Sequence, residues 1–479
     1  MKIKINVDLN VPKLLSKSVK HHLIVVNSDK SSFLSDTVKG KLKRLGLKLT
    51  DLESKSLSVD DGNNASITII KSSQKSTFEV QTILRKALKN LLEENPKVLN
   101  IICESEDAVW NTEALYTTLI NSQNLPSRKS KSKNNALGVI NFFGKLDSKS
   151  VKEIESLVEG NTLSRILTMT PPNDLTPTIY RKQVKKLSAQ NKWKFKEFTM
   201  PQLKKMGAGA FVSVGQGSDP QDAAIVHLTY QPKNFKKHIT LVGKGICFDT
   251  GGHNLKPSKY MFSMHEDMNG SATALGILQA ASMNKLPVKI DCWLAIAQNH
   301  IGPKAYKQND VVKALNGKTI EIIHTDAEGR MVLADTLTLA SKEKSDAILD
   351  FATLTGCMAV AMGDRYSGIF SNRPELACMA VGAGQAAGER VSSFPMDEDY
   401  EEDIESDIAD IKQCTLEGGP DHIHAARFLL QFLQDKKQPW LHVDLSSSNT
   451  KGGLGAAMSN VNGFGVRFGY ELIKDLLKK

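Results

Sequence analysis

Acidic side chains crowd one short stretch of this chain, His324-Thr325-Asp326-Ala327-Glu328-Gly329-Arg330. The preceding Lys318-Thr319-Ile320-Glu321-Ile322-Ile323 is rich in β-branched residues and reads as a buried strand. If Asp326 and Glu328 are still extended, the period of two puts both carboxylates on one face. Gly329 then frees the backbone to turn, and a helix-like segment begins at Met331. Two carboxylates side by side raise each other's energy unless cations neutralise them, and a bound metal is the most direct neutraliser. Taken alone, the stretch fits a solvated polar turn better than a metal site.

Upstream, about eighty residues earlier, lies Leu241-Val242-Gly243-Lys244-Gly245-Ile246-Cys247-Phe248-Asp249-Thr250-Gly251-Gly252, followed by Leu255-Lys256-Pro257-Ser258 and His265-Glu266-Asp267-Met268-Asn269-Gly270. In type, order and spacing, Lys244, Asp249, Lys256, Asp267, Asp326, Glu328 and Arg330 resemble the leucyl (cytosol) aminopeptidases, which are dinuclear-metal exopeptidases. The resemblance is specific to the C-terminal two-thirds of the chain.

The resemblance implies two divalent metal ions, with Asp249 and Glu328 bridging both, Asp326 serving one, and Lys244 and Asp267 serving the other. Four carboxylates balance two such ions charge for charge. An amine ligates only when neutral, and lysine shifts readily when buried. Oxygen-rich sites with one nitrogen and no thiolate accept zinc, manganese, magnesium or cobalt; zinc is expected, with manganese at the exchangeable position. Two close metals deprotonate a water and polarise the scissile carbonyl. Lys256 is implied as the charged group that stabilises the gem-diolate. Arg330 is implied as the holder of a bicarbonate ion that relays the proton; its plainer alternative is a salt bridge back to Glu328 or Asp326.

Met264, Thr353 and Gly356, the last two in Ala352-Thr353-Leu354-Thr355-Gly356, match positions lining the family's pocket for the substrate's first side chain. So do Ser446 and Asn449. The chain departs from the family at three places. His324 replaces asparagine and is expected to form a hydrogen bond behind the metals. Glu266 stands where a basic residue is common. Ser446-Ser447-Ser448-Asn449 replaces a small apolar segment, so the pocket is expected to be more polar and to take methionine or small and polar residues alongside leucine. Short unblocked peptides are the implied substrates, and a homohexamer the implied assembly. Two further readings stay open: DNA binding or regulation, and a dipeptidase for substrates such as Cys-Gly.

Composition sets the frame. With 479 residues, 41% hydrophobic, the chain can bury a large core and form two or more domains. The N-terminus has no long apolar stretch, and no run approaches the ~20 apolar residues a membrane helix needs, so neither signal peptide nor membrane is expected. Six scattered cysteines without Cys-x-x-Cys suit a reducing cytoplasm. Residues 1–150 hold 24 Lys+Arg against 15 Asp+Glu, a net +9 of the total +10. Such a basic part keeps a surface soluble or meets an acidic partner such as DNA.

Positioning these groups requires strands alternating with helices. Residues 1–147 read as a basic α/β domain, with strands at His22–Val26, Ala65–Ile70, Val98–Ile102 and Ala136–Ile140, a helix through Thr82–Leu92, and an exposed polar run at Ser127–Asn134. Residues 148–171 read as a connecting helix ending at Pro171-Pro172. Residues 172–479 read as the catalytic domain, with an edge strand at Trp193–Lys196, buried strands at Ile239–Val242, Val288–Ala297 and Ala347–Ala352, and a tightly packed helix at Ser271–Ala280. The fold class is α/β: a smaller N-terminal domain and a larger domain with a mostly parallel central sheet flanked by helices. Ligands of such sheets lie beyond strand carboxyl ends, where Lys244–Asp249 and Asp326–Glu328 are expected to fall.

Overall fold

The computed structural model describes residues 3–16, 18–61, 65–131 and 134–479. Met1 and Lys2, and Ser132 and Lys133 of the polar run, lie outside them. The chain forms two compact units. The first comprises residues 1–158 with 385–388 and 451–462; the second comprises 159–384, 389–450 and 463–479. The division falls inside the helix Ser148–Met169.

The first unit is built on a six-stranded sheet in the order Lys4–Asp8, Val139–Phe143, Val98–Cys103, His21–Val26, Ala65–Lys71 and Leu57–Asp61. All neighbours pair in parallel except the last two strands. The helix Thr77–Glu93 is closed by a capping box in which Ser76 and Glu79 satisfy each other's free backbone donors. The strand expected at Ala136–Ile140 begins three residues later, at Val139. Lys4–Asp8 and Leu57–Asp61 are edge strands that hydrophobic patterning misses: the first is largely exposed and held by pairing, and the second is short, with only Leu57 and Val59 turned into the core.

The second unit carries an eight-stranded sheet in the order Val391–Ser393, Ser367–Ser371, Trp440–Asp444, Ala347–Ala352, Lys237–Asp249, Val288–Asn299, Ala224–Tyr230 and Lys194–Thr199. Its four central strands are mutually parallel, and antiparallel pairing begins at Ser367–Ser371 on one side and Ala224–Tyr230 on the other. The central strands are buried on both faces, which is why Ile239, Leu241, Val242 and Ile290 form near-continuous apolar runs rather than alternating. Lys194–Thr199 lies at the sheet's edge, where its alternation of lysine and phenylalanine suits one exposed face.

Two helices carry the chemistry against this sheet. Asn269–Met283 is rich in small residues, and they let it approach backbone to backbone. A Cβ on Gly270 would stand 2.1 Å from the Phe351 carbonyl oxygen, and one on Gly243 would stand 2.5 Å from Ser271 Cα. That contact draws Asp267, just before the helix, onto the strand ends. The second helix, Glu328–Ala340, is buried along its whole length. It begins three residues earlier than the sequence suggests.

Candidate metal centre

The strand Lys237–Asp249 runs on through Lys244 and ends at Asp249, so Lys244 sits within the sheet and not beyond it. Asn299 ends the neighbouring strand in register with Asp249 and donates Nδ2 to its Oδ1 at 2.8 Å. Gly251 and Gly252 follow with φ of +85° and +67°, a pair of left-handed positions that glycine adopts without strain. The turn they make is closed by the Lys256 amide bonding to the Thr250 carbonyl at 2.9 Å. It returns Lys256 Nζ to 3.0 Å from Asp249 Oδ2.

Asp326 and Glu328 do not share one face of an extended strand. Only Thr319–Glu321 is strand, in a separate three-stranded sheet, and the chain turns at Thr325-Asp326 before Glu328 opens its helix. The turn is pinned by the Thr325 hydroxyl, which donates to the Gly251 carbonyl at 2.6 Å, and by Tyr306, whose hydroxyl donates to the Thr325 carbonyl at 2.7 Å. Convergence is thereby achieved without period-two geometry. One ligand atom from each of Asp249, Asp326 and Glu328 lies within 4.8 Å of the others.

Two lysines interleave with these acids. Lys244 Nζ is 2.8 Å from Asp267 Oδ1, 3.0 Å from Glu328 Oε1, and donates to the Thr353 carbonyl at 2.9 Å. Lys256 Nζ also reaches Asp326 Oδ1 at 2.6 Å. Burial alone would push Lys244 down, but the Asp267, Glu328 and Asp249 carboxylates outweigh it and hold the amine above its ordinary value. Burial and the nearby Asp249 carboxylate raise both Glu328 and Asp326, the latter to about 7, and burial also raises Asp267. Asp267 Oδ2 is buried without a hydrogen-bond partner among the described residues. Mutually repelling carboxylates and an orphaned acidic oxygen are the donor set of a cation site, so these residues fit divalent metal.

Arg330 pairs with neither Glu328 nor Asp326. Its Nη2 donates to both carboxylate oxygens of Asp421 at 2.8 Å, and its Nη1 donates to the Gln413 carbonyl at 2.9 Å. Its Nε is buried without an acceptor among the described residues. His324 Nδ1 accepts from the Asp326 amide at 3.3 Å, a hydrogen-bonding role behind the carboxylates. Sequence reading missed Asn299, Thr325, Gln413 and Asp421. Only the ladder register places Asn299 beside Asp249, and no local signal marks the others.

Among the expected pocket residues, Thr353 donates its hydroxyl to Asp267 Oδ1 at 2.7 Å. Gly356 opens the next helix with free space where a side chain would be. Asn449 Nδ2 donates to Glu266 Oε2 at 2.7 Å, joining two of the departures from the family pattern. Ser446 donates to the Tyr366 carbonyl at 2.6 Å, and Met264 opens the short 3-10 turn that contains Asp267. The histidines of His422-Ile423-His424 go separate ways, His424 to Asp403 at 2.9 Å and His422 against the Phe394 ring.

The chain belongs to the cytosol aminopeptidase family, whose catalytic domain matches residues 162–469. It is 41% identical over 310 residues to a probable cytosol aminopeptidase of Stutzerimonas stutzeri (strain A1501), a match covering 64% of this chain but only 61% of that relative. A probable cytosol aminopeptidase of Prochlorococcus marinus (strain AS9601) is 34% identical over 417 residues, covering 85% of this chain and 84% of the relative. Among solved structures, the bottromycin maturation enzyme BotP in complex with Mn superposes with a TM-score of 0.86 at 25% identity, covering 96% of this chain and 100% of that one.

Proposed function

We propose that this protein is a metal-dependent aminopeptidase that removes the first residue from short unblocked peptides. The observation that carries the reading is the convergence of Asp249, Asp326 and Glu328 within 4.8 Å at the ends of separate elements. Asp249, Glu328, Asp326, Asp267 and Lys244 would hold two divalent ions, zinc or manganese. Bound there, such ions supply Lewis acidity toward a peptide carbonyl and lower the pKa of a water.

The chain's own groups do the rest. Lys244 would join the ligand set as the neutral amine, a form that nearby cation charge would favour. Lys256 stays charged, is the more exposed of the two lysines at 14% against 4%, and serves as the donor to the oxyanion developing on the scissile carbonyl. Arg330 is held by Asp421, and its Nε would hold one oxygen of a bicarbonate, which would supply a proton relay. Membership of the cytosol aminopeptidase family supports reading the protein as a cytoplasmic homohexamer. No helix among the described residues is long and apolar enough to cross a membrane.

The test is hydrolysis of an aminoacyl-amide panel by chelated protein, then with zinc or manganese restored. Activity should vanish on chelation and return with metal. Full activity in the chelated state overturns the proposal.

A further inference from the structure

We infer that Asp444 is a positioning residue for one of the two cation positions, the one held by Lys244 and Asp267; the inference rests on the metal-centre reading above. Asp444 ends the strand Trp440–Asp444, pairs in register with Ala352, and is 1% exposed. Burial holds its carboxyl above the usual range, and no lysine or arginine pairs with it among the described residues. Its carboxylate is spent instead on one short loop. Oδ1 accepts from the Leu354 amide at 3.0 Å and the Thr355 amide at 3.4 Å, and Oδ2 accepts from the Thr355 hydroxyl at 2.6 Å.

The residue just before those two amides is Thr353. Its carbonyl receives Lys244 Nζ, and its hydroxyl bonds Asp267 Oδ1. Asp444 therefore touches neither group, yet it ties down the peptide that orients both. Asp249 and Asp326 have no such link to the loop: their partners are Gly251, Asn299 and Lys256. An outer partner of this kind typically changes metal affinity by ~10–100-fold when removed. The loop's direct contacts fall on Lys244 and Asp267, so the loss should fall on the ion those two residues would hold.

The experiment counts bound manganese or zinc by equilibrium dialysis, resolving the two dissociation constants in wild type, Asp444→Ala, Asp444→Asn and Thr355→Val. Wild type should bind two ions. Asp444→Ala should keep one constant within about twofold and weaken the other by ~10–100-fold. Asp444→Asn, whose amide oxygen still accepts both backbone amides, should lose less. Thr355→Val keeps the carboxylate and tests the link if Asp444→Ala does not fold; a several-fold loss at one ion is expected. Two unchanged constants in a folded variant, or equal weakening of both, overturns the inference while leaving the metal centre standing. A wild type that binds no divalent ion overturns the metal centre, and this inference with it.

Discussion

A Cβ added to Gly329 would stand 2.7 Å from both Cε and Nζ of Lys244. The glycine in the acidic stretch is thus needed for close approach and not for a turn, since it lies within the helix Glu328–Ala340. The atoms it would meet are the end of the Lys244 side chain, held by Asp267 and Glu328, and Leu354 Cδ1 at 2.9 Å. Making room shifts a buried, ion-paired amine. Gly329→Ala should therefore melt below the wild-type temperature and lose at least ~10-fold in kcat/KM, about 1.4 kcal/mol of transition-state stabilisation. Calorimetry beside a kinetic assay checks this, and unchanged kinetics would show that Lys244 need not sit where it does.

Removal of single charged groups should rank by contact with the reacting atoms. Lys256→Ala is expected to lose ~10²–10³-fold in kcat, the range for deleting an oxyanion donor. Asp249→Ala should approach complete loss, because its carboxylate would touch both ions. Arg330→Ala should lose less, and part of that loss should return with added bicarbonate. Steady-state kinetics at fixed metal and bicarbonate give the order; an Arg330 variant as dead as Asp249→Ala would remove the relay role.

Glu266 and Asn449 make a hydrogen-bonded polar pair, and burial raises the Glu266 carboxyl. Leucine should therefore lead methionine and small polar first residues by well under ~100-fold, about 2.7 kcal/mol. Asn449→Met should widen leucine's lead. A substrate panel in which leucine already leads a hundredfold in wild type would contradict the polar pocket.

Acidity should act on stability through Glu389. This buried carboxylate accepts from the Gly465 and Phe468 amides at the start of the helix Val466–Leu476, yet burial lifts it from 4.5 to about 7. With the folded pKa above the unfolded one, its contribution is fully present below pH 4.5 and is lost as pH rises to about 7. The shift corresponds to a loss on the order of 3 kcal/mol across that window. Glu389→Gln, which keeps an acceptor but cannot ionise, should show a smaller fall in stability between pH 5 and pH 8. Urea unfolding at the two pH values measures the difference, and parallel falls in both proteins would exclude Glu389 as the cause.

Residue type and spacing determined much of this protein. The lysines and carboxylates of the candidate centre carry their chemistry with them. The central strands announce themselves because both faces are buried, so Ala347–Ala352 reads correctly from apolar content alone. What tertiary structure decided is how the segments meet. Asp326 and Glu328 converge through a turn and a helix start pinned by Gly251 and Tyr306, contacts that no local pattern encodes. Arg330 takes Asp421, ninety-one residues away, over the acids beside it, while Glu328 pairs with Lys244. Asn299 and Asp444 acquire their places only from strand register. Side-chain chemistry is local to a residue; which groups share a few ångströms depends on pairing between distant strands, and that is set by the fold as a whole.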